Sequence, residues 1–210
     1  MASARDEIMA RVAAQRRDAT PPPVWRSRRH FEDLRDRFEE SLRKVKGETI
    51  RAGSLDEALA ALDSTLADLG AQSVVVNGDS LLAGMDWAGR WPERTLHVAG
   101  QSDGDLRAFC ASADVGVSSA DAALAETGSI IVTSGPGRSR LATLLPPVHV
   151  ALVPASRLTT DLFTFTAARS GAQPAMMTII SGPSKTADIE QTMAIGMHGP
   201  KRFIVILFDD

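Results

Sequence analysis

The chain of 210 residues has a single cysteine, Cys110. One cysteine makes no internal disulfide and cannot hold an iron–sulfur cluster by itself. Long apolar runs are missing too. Nothing approaches the ~20 residues of a membrane span, and the stretch from Met1 to Thr20 is charged rather than signal-like. A cytoplasmic protein with no membrane span is the expectation. Positive charge is not in excess, since 23 Lys+Arg stand against 26 Asp+Glu. That balance argues against nucleic acid as a general partner. Familiar catalytic fingerprints are equally scarce: there is no P-loop spacing, no GxGxxG turn, no nucleophile elbow, and no histidine pair at helical spacing. No metal site is expected. His149, inside an apolar strand, reads as a hydrogen-bonded core histidine, and Cys110 as core filler.

What charge there is lies unevenly. Residues 1–47 hold 12 Lys/Arg and 8 Asp/Glu, whereas the remainder is net negative. With the break at Pro21-Pro22-Pro23, this divides the chain into an N-terminal helical arm with a proline linker (1–47) and an α/β domain (48–210). Two readings of the arm stand: solvated helices on a stiff linker, or a surface that docks on an acidic partner.

Helices are expected over 3–18 and 27–46, the second carrying Phe31, Leu34, Phe38, Leu42 and Val45 at three- and four-residue spacing. Ser54 and Glu57 form a capping box for a helix whose apolar face is Leu55, Leu59, Leu62, Leu66 and Leu69. Short Val/Ile-rich runs then alternate with helical or turn segments. The strand candidates are Ser73–Val76, Thr95–Val98, Asp114–Val117, Ser129–Thr133, Val148–Val153, Met176–Ile180 and Arg202–Phe208. Helices are expected over Asp105–Ala111 and Ser156–Arg169. Another should begin near Ser184, with Ile189 and Met193 facing inward. A small-residue helix is expected after Asp121. The pattern predicts an α/β three-layer sandwich with a mixed, mostly parallel sheet.

Four polar segments fall at strand ends, where open α/β sheets place their ligands. In the first, Asp121 suits a helix N-terminus, while Glu126, before Thr127 and Gly128, is placed either as a structural carboxylate or as a base or nucleophile. The second, Ser134-Gly135-Pro136-Gly137-Arg138-Ser139-Arg140, is either an exposed turn or a carboxylate- or phosphate-holding loop. The third runs from Ser181 through Gly182, Ser184, Lys185 and Thr186. Ser184 suits a helix cap there, and Lys185 at a helix start calls for a nearby anion. The fourth holds His198, an acid/base or orienting donor, in Gly196-Met197-His198-Gly199-Pro200.

The stretch from Ala113 to Val132, with Leu144-Leu145-Pro146 and His149, resembles the LUD domain. Ser181–Glu190 and Gly196–Pro200 resemble its C-terminal pattern, and from about residue 30 onward the chain resembles the lactate-utilisation protein C family. The resemblance implies a fold similar to that of glucosamine-6-phosphate deaminase, ribose-5-phosphate isomerase and the CoA transferases. It also implies a part in oxidising L-lactate to pyruvate with iron–sulfur partner proteins. Residues 120–128 further resemble the active-site stretch of the sugar-phosphate isomerases, with Glu126-Thr127 in place of Ala-Asn. The chain itself shows no flavin, nicotinamide or cluster motif, so no cofactor is expected on it. Three functions follow: a lactate-oxidation subunit that binds the hydroxy acid, a stand-alone enzyme on a phosphorylated sugar or acyl compound, or a non-catalytic assembly module. The expected site has Glu126 and Asp121 as catalytic groups. Thr127, Gly128, Arg138, Gly182, Ser184, Lys185, Thr186 and His198 are its expected substrate-binding residues.

Overall fold

A computed structural model describes residues 3–15, 20, 25–79, 81–171, 173–187 and 193–210. Along the first half run α1 (Ala4–Ala14), α2 (Leu34–Lys44), β1 (Glu48–Ala52), α3 (Leu55–Asp68), β2 (Ser73–Val76), α4 (Trp87–Arg90), β3 (Thr95–Val98) and α5 (Leu106–Ser112). The second half holds β4 (Val115–Ser119), β5 (Ala122–Leu124), β6 (Ser129–Thr133), α6 (Leu141–Leu144), β7 (Val148–Pro154) and β8 (Leu158–Thr159). It ends with α7 (Leu162–Ala168), β9 (Met177–Ile180), β10 (Lys185–Ala187), β11 (Met193–Ile195) and β12 (Arg202–Phe208).

Six strands form a central sheet in the order β1-β12-β7-β4-β2-β3, every neighbouring pair parallel. Runs such as Val148–Val153 and Phe203–Phe208 are buried along their whole length because both faces are covered. On one face Val74, Val76, Val150, Leu152, Ile204 and Ile206 meet Leu59, Leu62 and Leu66 of α3 and Trp87 and Trp91. On the other, Ala151, Val153, Phe203, Val205 and Leu207 meet Phe38 and Leu42 of α2 together with Ala123, Ile130 and Val132. Alternate residues of the same strands thus serve two cores. α5 and α6 cover the rest of that second face, with Cys110 fully buried among Val75, Ala113 and Ala142. α6 lies directly on Gly116, where a Cβ would stand 1.8 Å from the Ala142 carbonyl oxygen.

Antiparallel pairing is confined to smaller sheets. β8-β5-β6-β9 form a mixed four-stranded sheet, and β10-β11 form a hairpin. The expected mixed character is therefore split between sheets, and the central one is purely parallel. The expected helix after Asp121 is instead strand β5. Its alanines favour a helix locally, but Ala122, Ala123 and Leu124 are buried between β6 and β8, and tertiary pairing overrides propensity. Glu126, Thr127 and Gly128 turn the β5-β6 hairpin. Gly128 has φ +65°, and a Cβ there would lie 2.1 Å from the Leu42 amide nitrogen, so α2 rests on this turn.

Other expectations also change. No helix starts at Ser184: residues 185–187 pair antiparallel with 193–195, and Ile189 lies outside the described residues. The 27–46 helix is confined to 34–44, because Asp33 accepts hydrogen bonds from the Arg35 and Asp36 amides and caps it. The 156–169 helix is confined to 162–168, where Asp161 caps through the Thr164 amide and Leu158-Thr159 pairs with β5. Edge strand β1 was not expected, since Glu48 and Arg51 interrupt its five residues. At Ser54 the box is partial: Ser54 receives the Glu57 amide, while the Glu57 carboxylate takes the amide of Gly53.

α2 belongs to the packed body through Phe38 and Leu42, whereas α1 buries no side chain and leaves Ile8, Met9 and Val12 more than half exposed. Deleting residues 1–23 is expected to leave the urea unfolding midpoint unchanged within error. Loss of the cooperative transition would contradict this.

Candidate functional site

From β2 the chain passes outward to β3, then returns across β2 to β4, so the connection changes direction between β2 and β4. At such a point the loops leaving the carboxyl ends of adjacent strands part and open a crevice. Asn77, Gly78 and Asp79 leave β2 here, and Ser119, Ala120 and Asp121 leave or follow β4. The Asp79 carboxylate, 8% exposed, accepts hydrogen bonds from the Ser119 amide (3.0 Å) and hydroxyl (2.7 Å) and from the Leu81 amide. These bonds satisfy a buried charge and lock the two strand ends together.

The arginine loop, residues 134–140, is tied to the same edge. Gly78 N donates to Gly137 O at 2.8 Å, and Ser139 N donates to the Asn77 side-chain oxygen at 3.0 Å. Gly137 has φ +68°, and a Cβ would meet Gly78 O at 2.7 Å, so glycine is required for this close approach. Arg138 Nη1 pairs with Asp121 at 3.2 Å, while the other Asp121 oxygen accepts from the Thr133 amide (2.8 Å) and hydroxyl (2.9 Å). Asp121 therefore positions Arg138 and caps no helix. Arg157 Nη1 donates to Ala120 O on the far side of this turn.

Outside the loop lies an open cleft of about 660 Å³, walled by Arg107, Ser134, Arg138, Ser139 and Arg140, with Leu141, Leu145 and Met176 as apolar lining. Among the described residues Arg107 and Arg140 have no carboxylate within ion-pair distance. Three arginines thus line one cleft with Asp121 as their one ion-paired carboxylate among the described residues, Arg140 Nη1 donates to Met176 Sδ at 2.7 Å, and the two serines add neutral donors.

The other sequence-predicted residues form separate groups. Glu126 pairs with Arg29 at 3.0 Å, and the same guanidinium lies 3.8 Å from buried Asp161. Burial alone would raise the Asp161 pKa, but the neighbouring Ser27 hydroxyl, hydrogen bonds from the Thr164 amide and hydroxyl, and the Arg29 charge bring it below the ordinary carboxylate value. The Glu126–Arg29 pair is partly exposed on both sides. Glu126→Gln is therefore expected to move the melting temperature by less than about 4 °C. A larger drop would make this pair a principal stabilising contact.

Thr127 Oγ1 contacts Ser129 Oγ at 2.7 Å, which contacts Ser181 Oγ at 2.6 Å. Gly182 packs on Val45, and Lys185 Nζ donates to the Val45 carbonyl oxygen, so its charge serves the carboxyl end of α2 rather than an anion. Thr186 pairs with Ala194 in the hairpin. Gly182, Ser184 and exposed His198 line a smaller cavity beside His149. The structure thus joins Asp121 to Arg138, groups Gly182, Ser184 and His198, and sets Glu126 against the N-terminal segment. Asn77, Gly78, Asp79, Arg107 and Arg157 were missed. Asn-Gly-Asp directly after a Val-Val-Val strand was the available signal.

Among the described residues, no three His, Cys, Asp or Glu side chains gather closely enough to hold a metal ion. No helix there is long and apolar enough to cross a membrane.

The family model of the LUD domain matches residues 35–208, from α2 to the end of β12. The chain belongs to the LUD domain family. Its LUD domain is similar to lactate utilization protein C of Exiguobacterium sp., at 33% identity over 98% of this chain and 96% of that one. Proteins of the same name from Shouchella clausii and Halalkalibacterium halodurans are 29% and 28% identical over 98% and 90% of this chain, and over 98% and 88% of their own lengths. The crystal structure of a DUF162 family protein from Deinococcus radiodurans superposes with a TM-score of 0.55 at 19% identity. It covers 83% of this chain and 96% of that one. That likeness concerns the fold alone.

Proposed function

We propose that this LUD-domain chain serves lactate utilisation by binding a small hydroxy-acid anion in the arginine cleft at the carboxyl edge of the parallel sheet. The observation that carries the reading is the convergence of Arg107, Arg138 and Arg140 on one cleft beside the crossover between β2 and β4. Relatives named lactate utilization protein C, similar over nearly the whole chain, support the role and suggest the anion. A guanidinium fork matches a carboxylate in plane and charge, and Asp121 holds the Arg138 fork in place. Ser134 and Ser139 offer donors to the hydroxyl or to the second carboxylate oxygen.

Oxidation of a hydroxy acid releases two electrons. The one cysteine, Cys110, is buried with its thiol pushed up to about 11 by desolvation, so it offers no accessible thiolate for redox chemistry. The electron acceptors in this reading are iron–sulfur clusters on partner proteins, and this chain presents the substrate to them. The size of the cleft favours one second reading, a stand-alone enzyme on a phosphorylated sugar or acyl compound.

Cells lacking the gene are expected not to grow on L-lactate as sole carbon source. The wild-type gene should restore growth, and the Arg107→Met/Arg138→Met double variant should not. Restoration by that variant would exclude the cleft from the role.

A further inference from the structure

The segment from Trp25 to Phe31 lies against α7 and the turn that holds Glu126. Its second half is fastened. Arg29 pairs with Glu126 at 3.0 Å and stands 3.8 Å from Asp161, the cap of α7. Phe31 packs against the core around Phe38 and Leu42, with the Arg37 guanidinium 5.0 Å from its ring centroid. The first half is not covered. Trp25 and Phe163 meet edge to face at 66°, with ring centroids 4.4 Å apart, and yet stay 56% and 44% exposed. A single exposed aromatic is ordinary, whereas two in contact on an open face mark an interaction surface.

The charge around this pair has one sign. Residues 25–31 contain three arginines and a histidine, residues 162–171 contain Arg169, and neither stretch contains an Asp or Glu. This happens in a chain whose net charge is −3. Arg29 is held by Glu126, whereas Arg26 and Arg28 are exposed. Between the two segments opens a groove of about 320 Å³, lined by Arg26, Ser27, Thr164, Ala167 and Ala168. The face thus combines a small groove, two bare aromatic rings and exposed guanidinium groups, and Trp and Arg are the residue types that most often dominate binding at interfaces.

We propose that this face docks an acidic segment of another protein, an extended peptide with Asp or Glu on either side of an apolar side chain. The apolar side chain seats against Trp25 and Phe163, and the carboxylates take the guanidinium forks of Arg26 and Arg28. Because Arg29 and Phe31 already fasten the segment, less of it has to be ordered on binding. Nucleic acid fits less well: the chain as a whole is negative, and rings crossed at 66° offer no pair of parallel faces for successive bases. Neither the arginine cleft nor lactate enters this assignment.

The test titrates the full chain into a fluorescein-labelled peptide in which Leu-Phe is flanked on each side by Glu-Asp-Glu, followed by anisotropy. A second peptide with Ser-Ser in place of Leu-Phe keeps the charge and removes the anchor. The other two tryptophans, Trp87 and Trp91, are buried, so acrylamide quenching in the presence of unlabelled peptide reports on Trp25. Saturable binding of the Leu-Phe peptide and shielding of Trp25 are expected. Binding should be at least tenfold weaker for the Ser-Ser peptide, for Arg26→Glu/Arg28→Glu and for Trp25→Ala/Phe163→Ala. Urea midpoints check that the variants fold, and Trp25→Ala alone replaces the aromatic pair should that variant fail to fold. No saturable binding, equal binding of the two peptides, or tighter binding to an oligothymidylate or to anionic phospholipid vesicles would overturn the proposal. Self-association of the chain that Arg26→Glu/Arg28→Glu abolishes would overturn it too, and would make the face an interface between copies.

Discussion

Acidification from pH 6.5 to pH 4 is expected to remove about 3 kcal/mol of folding stability through one side chain, His149. In the folded protein its imidazole is fully buried, with a pKa lowered from the ordinary 6.5 to about 3 by desolvation. The unfolded chain takes up a proton near pH 6.5 and the folded chain does not. Between these values the unfolded state binds more protons, so stability falls as pH falls, by up to about 1.4 kcal/mol per pH unit. The contribution is intact above pH 6.5 and lost as the pH reaches about 3. Carboxylates act lower. At Asp114 burial raises the pKa, but hydrogen bonds from Ser73 and Gln72 outweigh it, and the net shift is downward. Its stabilisation is present above the unfolded value near 3.9 and lost as pH falls below it. Urea midpoints at pH 7, 6 and 5 isolate the histidine. The wild type should weaken steadily over this range. His149→Phe should start less stable, because Ser118 loses its partner, and should show a flatter profile. Equal slopes for the two proteins would mean that His149 is accessible to protons in the folded state.

The sheet was legible where burial is symmetrical. Val148–Val153 and Arg202–Phe208 are β-branched or large apolar runs without turn residues, and strands covered on both faces need little else. β1 was not legible, because this edge strand buries none of its five residues fully and Glu48 and Arg51 fit a loop equally well. The alanines after Asp121 illustrate the reverse error. Small residues favour a helix in isolation, but here Ala122, Ala123 and Leu124 are buried and paired with β6 and β8. Local sequence contains none of that contact.

The site divides in the same way. Arg138 was visible because glycines and serines surround it after a strand. Its partner Asp121 was visible as a carboxylate but mistaken for a helix cap, since the pairing depends on a hairpin that propensity argues against. Asp79 was missed because the Ser119 that holds it is forty residues away and becomes a neighbour only when β4 is laid beside β2. Lys185 was given an anion to explain a cation at a helix start. With no helix there, its charge is satisfied at the end of α2.

The arginine cleft carries the second large effect. A hydrogen bond between charged groups contributes about 1.5–3 kcal/mol, so removing the Arg138 fork should weaken anion binding roughly 10- to 150-fold. Arg138→Met leaves Asp121 its two bonds from Thr133, and the fold should persist. Arg107→Met disturbs no ion pair among the described residues, so its effect reports on the ligand alone. Lys185→Met, away from the cleft, is the control. The direct measurement is calorimetric titration of the purified full chain with L-lactate, repeated for these three variants and with ribose 5-phosphate as the competing anion. Saturable one-to-one binding of L-lactate is the predicted result, at least tenfold weaker in Arg138→Met and Arg107→Met and unchanged in Lys185→Met. A folded wild-type protein that takes up no L-lactate, or one whose affinity survives both arginine substitutions, would contradict the account.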